Sequence, residues 1–205
     1  MTALGVDVGR SGEDKTVLAS RFGGRIDELE VYALEDTMQT AGRVRGKLMK
    51  YPTMKPVVDV VGIGAGVVDR LREEAYAVVA FSAGVATRLR DQSGELGFTN
   101  LRSVAWWHLR ELLDPANAAA VALPPDDMLT GDLTAPKWRV TSAGKIEVES
   151  KDTIRERIGR STDHGDAVVQ ALALEIVDPT VSFAFGKLGQ PEREKTAKEL
   201  EEAER

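Results

Sequence analysis

A carboxylate set inside an apolar strand has to be met by a partner, and this chain carries two of them. Asp7 interrupts the run Leu4, Gly5, Val6, Val8, and Asp59 interrupts Val57, Val58, Val60, Val61. Burying an unpaired carboxylate costs several kcal/mol, so each strand must run beside a cation, a basic side chain or backbone donors. Taken singly, Asp7 satisfying a turn amide and Asp59 pairing with a nearby arginine remain open as simpler uses.

Around these aspartates, hydrophobic periodicity sets out an α/β chain. Residues 4–8, 16–22 and 28–34 read as three strands of a meander separated by glycine-containing turns. Residues 37–50 space Met38, Ala41, Val44 and Leu48 as a helix does, and Pro52 and Pro56 bound its end. A buried strand over 56–61, a helix over 65–74 and a strand over 77–81 then follow in the order of a parallel crossover unit. Residues 84–97 combine glycines and charges without periodicity and read as a mobile surface loop, followed by a helix over 100–113. A weak strand at 120–123, a short helix from Asp126 and a hairpin with arms 138–140 and 145–148 come next. Helices over 151–158 and 164–176 close the domain, the last stopped by Asp178 and Pro179. From Gly186 the chain is charged and poor in apolar residues. With 205 residues, 42% of them hydrophobic, the expectation is one buried domain over 1–185 and a solvated tail over 186–205.

Two further acids, Asp163 and Asp166, border the last helix. Positions three apart on a helix place their Cβ atoms about 5–6 Å apart, so both can face one site. The simpler reading makes Asp163 the helix N-cap and Asp166 a first-turn acid favoured by the helix dipole. Together, Asp7, Asp59, Asp163 and Asp166 suffice to share two divalent cations about 3.5–4 Å apart, the arrangement that phosphodiester cleavage uses.

Composition restricts which metal that would be. The chain has no cysteine and only His108 and His164, whereas Asp and Glu number 33, so the ligands would be oxygens and the metal a hard cation such as Mg²⁺ or Mn²⁺. Missing cysteines also fit a cytoplasmic setting. A net charge of -6 argues against holding nucleic acid by bulk electrostatics. An acidic cluster reverses its local sign once loaded, so DNA stays admissible as a substrate. No apolar run approaches the roughly 18 residues a membrane span needs.

Several separate stretches resemble the C-terminal nuclease domain of the tailed-phage terminase large subunit. Gly5-Val6-Asp7-Val8-Gly9 with Gly12-Glu13-Asp14-Lys15-Thr16 is similar to the family's opening strand and turn, and the segment from Val58-Asp59 through Gly62, Gly64 and Gly66 to Leu71 to its second acidic strand. Phe98-Thr99-Asn100-Leu101-Arg102-Ser103-Val104-Ala105-Trp106-Trp107-His108 is the most specific match. The closing segment, from Arg157 to Asp163-His164-Gly165-Asp166-Ala167, has Thr162 where the family more usually has proline, and its Asp-x-x-Asp-Ala is shared with Holliday-junction resolvases.

The resemblance covers roughly residues 4–177 and implies a ribonuclease-H-like mixed sheet, an antiparallel meander plus parallel strands, with helices on both faces. It implies a metal-dependent endonuclease that cuts concatemeric double-stranded DNA with little sequence preference, in a packaging motor working in the infected host's cytoplasm. Asp7, Asp59 and Asp166 would be metal ligands, with Asp163 a further ligand or its support. Expected partners are the portal protein, the small terminase subunit and an ATPase domain of the same polypeptide, while the domain alone is expected to be monomeric. No Gly-x-x-x-x-Gly-Lys-Ser/Thr occurs in this chain, and Met1 directly before the first strand suggests an excised domain.

Arg88, Arg102, Lys151 and Arg160 are candidates for contacts to DNA phosphates, against the simpler reading of solvated faces and local ion pairs. His108 reads as a packing residue and His164 as pointing away from the acids. Adjacent Trp106 and Trp107 cannot share one helix face, so at least one belongs to the core. Two other functions fit parts of the pattern. Asp7-x-Gly9 and the glycine-rich turn after Asp59 also resemble actin-like phosphotransferases, whose two-domain size this chain does not reach. An acidic surface also suits a module that mainly docks onto the portal.

Overall fold

The computed structural model describes residues 2–9, 15–33, 36–117 and 121–177. The turn residues Gly12, Glu13 and Asp14, residue 120 of the weak strand, the Asp178-Pro179 stop and the charged tail from Gly186 lie outside the described residues.

Four strands form the antiparallel part of the main sheet: β1 (Thr2–Asp7), β2 (Lys15–Phe22), β3 (Arg25–Ile26) and β4 (Glu30–Ala33). The helix α1 (Thr37–Lys50) crosses to β5 (Lys55–Asp59), and α2 (Gly64–Glu73) crosses to β6 (Val79–Phe81). Among the described residues the sheet order is β3-β2-β1-β5-β6, with β4 also paired to β2. β1 therefore runs antiparallel to β2 on one side and parallel to β5 on the other, the mixed sheet expected of a ribonuclease-H-like chain.

The remaining elements are β7 (Gly97–Phe98), α3 (Leu101–Leu113), α4 (Asp127–Thr134), β8 (Trp138–Val140), β9 (Lys145–Val148), α5 (Lys151–Ile158) and α6 (Asp163–Val177). The hairpin arms sit where the sequence puts them, but they join β7 in a second sheet of order β7-β9-β8. The third meander strand is present as β4, paired with the beginning of β2, and a further short strand, β3, pairs with the end of β2. The strand at 120–123 reduces to one bridge between Ala122 and Arg25. Residues 84–96 form a loop that leads into β7, and within it the buried Asp91 accepts hydrogen bonds from Leu96 N and Ser93 Oγ, and Arg90 donates to the Gly94 and Glu95 carbonyls.

Strand alternation decides where the acids point. Leu4, Val6, Leu18 and Val58 pack under α1 and α2 with Val44, Leu48, Val67 and Leu71. Ala3, Val17, Ala19 and Val57 belong to the opposite core, built with α3 and α6. Asp7 has the parity of Ala3 and Asp59 that of Val57, so both carboxylates face α6. That helix is buried all round, with every residue from Asp163 to Glu175 buried, as suits a helix at the centre of a core. It lies hard against β1: a Cβ on Gly5 would stand 1.9 Å from the Ala167 carbonyl oxygen and 2.5 Å from Ala171 N.

Candidate metal centre

Asp7 and Asp59 end neighbouring parallel strands, each one residue beyond the Val6–Val58 pair. Asp163 and Asp166 occupy the first turn of α6. The close approach of α6 at Gly5 brings that turn to the end of β1, so four acids from two strands and one helix meet where the central strands β1 and β5 end.

Lys151 draws three of them together. Its Nζ lies 3.0 Å from Asp7 Oδ2, 3.2 Å from Asp7 Oδ1, 3.2 Å from Asp163 Oδ1 and 3.4 Å from Asp166 Oδ2. Lys151 is the first residue of α5, whose N-terminus is capped by the Ser150 hydroxyl accepting from Thr153 N. The cap fixes where that side chain starts. Asp59 Oδ1 accepts from Val61 N at 2.9 Å, and Asp59 shares the wall of a small cavity with Asp166, Arg102 and Trp106.

Burial and crowding divide the acids. Burial pushes the Asp7 carboxyl well above the usual carboxylate range; Lys151 opposes this, and the charges of Asp166 and Asp163 add to it. Burial also raises Asp59. Asp166 is buried too, but Arg102, Lys151 and the Thr162 hydroxyl outweigh the desolvation and hold it below that range. For Lys151, the three carboxylates overcome the cost of burial and raise its pKa, keeping it charged.

The simpler N-cap role for Asp163 is taken by another group, while Asp166 does lie in the first turn of α6. The first free amides of α6, His164 N and Gly165 N, donate to Asp132 Oδ2 from α4, at 3.0 and 3.1 Å. Asp163, already inside the helix, instead accepts from Lys15 N at 3.0 Å. Thr162 donates its hydroxyl to Asp166 Oδ2 at 2.8 Å, a bond proline could not make. Asp132 and Thr162 escape the sequence reading because one lies in an unremarkable short helix and the other looked like a departure from pattern.

The proposed DNA contacts are placed unevenly. Arg88 is exposed. Arg102 donates to Asp166 Oδ1 at 2.8 Å and to the Glu149 carbonyl at 3.0 Å, with its side chain 11% exposed. Arg160 pairs with Asp132 and also donates to the Ser161 carbonyl. His108, Trp106 and Trp107 are buried; His108 Nε2 lies 3.4 Å from Glu175, which also takes Arg21 at 2.5 Å.

The donor set suits a hard divalent cation. It consists of oxygens, four carboxylates face one ammonium and one guanidinium, and Asp163 Oδ1 is buried without a hydrogen bond although it lies near Lys151. Among the described residues no three acidic or histidine side chains stand in a ready-made ligand group, because the oxygens close around the ammonium. Lys151 and a cation therefore compete for the same oxygens. Lys151→Ala should bind Mn²⁺ about tenfold more tightly, equivalent to about 1.4 kcal/mol, and so show a larger Mn²⁺-induced rise in Tm than the parent. An equal or smaller rise would argue against competition.

No protein-family model matches the sequence, and no curated protein matches it. Solved structures do. The nuclease domain of the large terminase subunit gp2 of bacterial virus Sf6 superposes with a TM-score of 0.69 at 18% identity, over 83% of this chain and 87% of that one. The large terminase nuclease from thermophilic phage G20c superposes with a TM-score of 0.60 at 16% identity, over 84% of this chain and 81% of that one. A mutant of the Sf6 domain is known with manganese and the G20c nuclease with bound magnesium. This chain shares the ribonuclease-H-like fold of these domains.

Proposed function

We propose that this domain is a divalent-metal-dependent endonuclease that cuts double-stranded DNA as part of a phage DNA-packaging machine. The observation that carries the reading is the convergence of Asp7, Asp59, Asp163 and Asp166 where the central strands end, in a fold that is also that of terminase nucleases. Asp7, Asp59 and Asp166 would hold the cations, with Asp163 a further ligand or a brace beside Lys15 N. Two bound Mg²⁺ or Mn²⁺ ions would activate the attacking water and stabilise the leaving oxygen.

The chain's own residues do the positioning. Lys151 keeps the carboxylates together, and its flexible stem would let the ammonium turn to a phosphate oxygen if cations held the carboxylates instead. Exposed Arg88 is available to hold the backbone of the duplex. Contacts to phosphates carry no base information, which fits cutting with little sequence preference. Portal protein, small terminase subunit and a separate ATPase domain are the partners that such a role requires. The phosphotransferase alternative is disfavoured because Asp7 faces carboxylates and an ammonium.

The test is supercoiled plasmid incubated with the protein and Mn²⁺. Nicked and linear products should form, disappear in excess EDTA and return when Mn²⁺ is restored. Cleavage that persists in EDTA, or none with any divalent cation, would contradict the proposal.

A further inference from the structure

Arg102 reads in the sequence as a surface cation for DNA, yet its guanidinium is held on several sides inside the protein. Nη1 donates to Asp166 on α6, Nε donates to the Glu149 carbonyl just after β9, and the guanidinium carbon lies 5.3 Å from the centre of the Trp106 ring. Glu149 immediately precedes Ser150, the cap of the helix that presents Lys151. One planar side chain thus links the helix bearing Asp166 to the segment that launches Lys151.

A third connection reaches Asp59. Arg102, Trp106, Asp59, Asp166 and Gln170 line a cavity of about 10 Å³ beneath the acids. Arg102 Nη2 and Trp106 Nε1 are both buried and neither has a hydrogen-bond partner among the described residues. Two buried donors thus border a space walled by two carboxylates. The volume is at the lower limit for one water molecule, and Asp59 lines the same space as the two donors.

We propose that Arg102 is the positioning residue of the metal centre, fixing Asp166 directly and Asp59 through the shared cavity, and that it does not contact the substrate. The inference rests on the nuclease reading of the acidic cluster. Its physical basis is the fork of the guanidinium, whose donors lie in one plane at fixed angles and can serve a carboxylate and a carbonyl at once. A lysine keeps the charge but cannot reproduce the fork. Outer partners of metal ligands commonly contribute about 10–100-fold in metal affinity.

The experiment measures Mn²⁺ binding by electron paramagnetic resonance, and duplex DNA binding in EDTA, for the full chain, Arg102→Gln and Arg102→Lys. Circular dichroism confirms that each is folded; Arg102→Lys, which retains charge and most of the packing, keeps the test open if Arg102→Gln does not fold. The expected result is Mn²⁺ binding weakened about 10–100-fold in Arg102→Gln and less in Arg102→Lys, with DNA binding in EDTA unchanged. Unchanged Mn²⁺ binding in both variants, with weaker DNA binding, would overturn the proposal and return Arg102 to the substrate. Failure of the parent chain to bind Mn²⁺ would overturn both this inference and the nuclease reading.

Discussion

Gly5→Ala is expected to cost the domain its metal centre together with much of its stability. The added Cβ would lie 1.9 Å from the Ala167 carbonyl oxygen, and backbone atoms of a buried helix cannot swing aside as a flexible side chain can. Ordinary overpacking costs about 1–3 kcal/mol, and this contact belongs at or above the upper end. For a domain of this size, about 3 kcal/mol corresponds to a fall in Tm of roughly 6–12 °C. Any relief must move α6 away from β1, and Asp166 precedes Ala167, so the acids separate as the clash is relieved. Mn²⁺ should then stabilise the variant much less than the parent. Gly46→Ala is the control: its Cβ meets nothing within 4 Å on an exposed helix face, so the helix should gain up to about 1 kcal/mol. If Gly5→Ala melted with Gly46→Ala and kept full Mn²⁺ stabilisation, the close approach would not matter.

Asp7→Asn is expected to remove activity while sparing the metal-free fold. Asparagine preserves shape and still accepts a hydrogen bond from Lys151, but it is a poor ligand for a hard cation. Losing a metal-held transition state should cost about 4 kcal/mol or more, which is about a thousandfold in cleavage rate. Stability in EDTA should move the other way. Burial raises the Asp7 pKa in the folded protein, so the native state holds this proton more tightly than the unfolded chain does. The Asp7 contribution therefore weakens stability as pH rises from the ordinary carboxylate value, about 4, toward the raised folded value. Asp7→Asn removes that loss, so its Tm in EDTA near neutral pH should equal or exceed the parent's. A variant retaining cleavage within tenfold of the parent would remove Asp7 from the ligand set.

Much of this architecture was legible in the sequence because local rules sufficed for it. The proline-bounded helix α1, the carboxylates inside valine runs at β1 and β5, and the hairpin from Trp138 to Val148 depend on periodicity and turn chemistry alone. Strand parity then places Asp7 and Asp59 on one face, and resemblance supplied their place in a sheet order that periodicity does not specify. What escaped depends on distant pairings. Nothing near Asp132 says that it serves the amides of a helix beginning thirty-one positions later. Nothing near Arg102 says that its charge turns inward to Asp166, 64 residues away, since an arginine in the first turn of a helix reads as exposed. Lys151 reads in the sequence as a candidate for DNA phosphates or a local ion pair, and its position among three carboxylates depends on the docking of α5 beside α6.

If Asp7, Asp59 and Asp166 form one divalent-cation site, anomalous diffraction from crystals of this protein soaked in Mn²⁺ will show peaks bounded by the carboxylates of these three residues, with the Lys151 ammonium displaced from Asp7. Crystals in which no peak lies among the three, or in which Mn²⁺ binds elsewhere while Lys151 keeps its contacts to Asp7, Asp163 and Asp166, would contradict it.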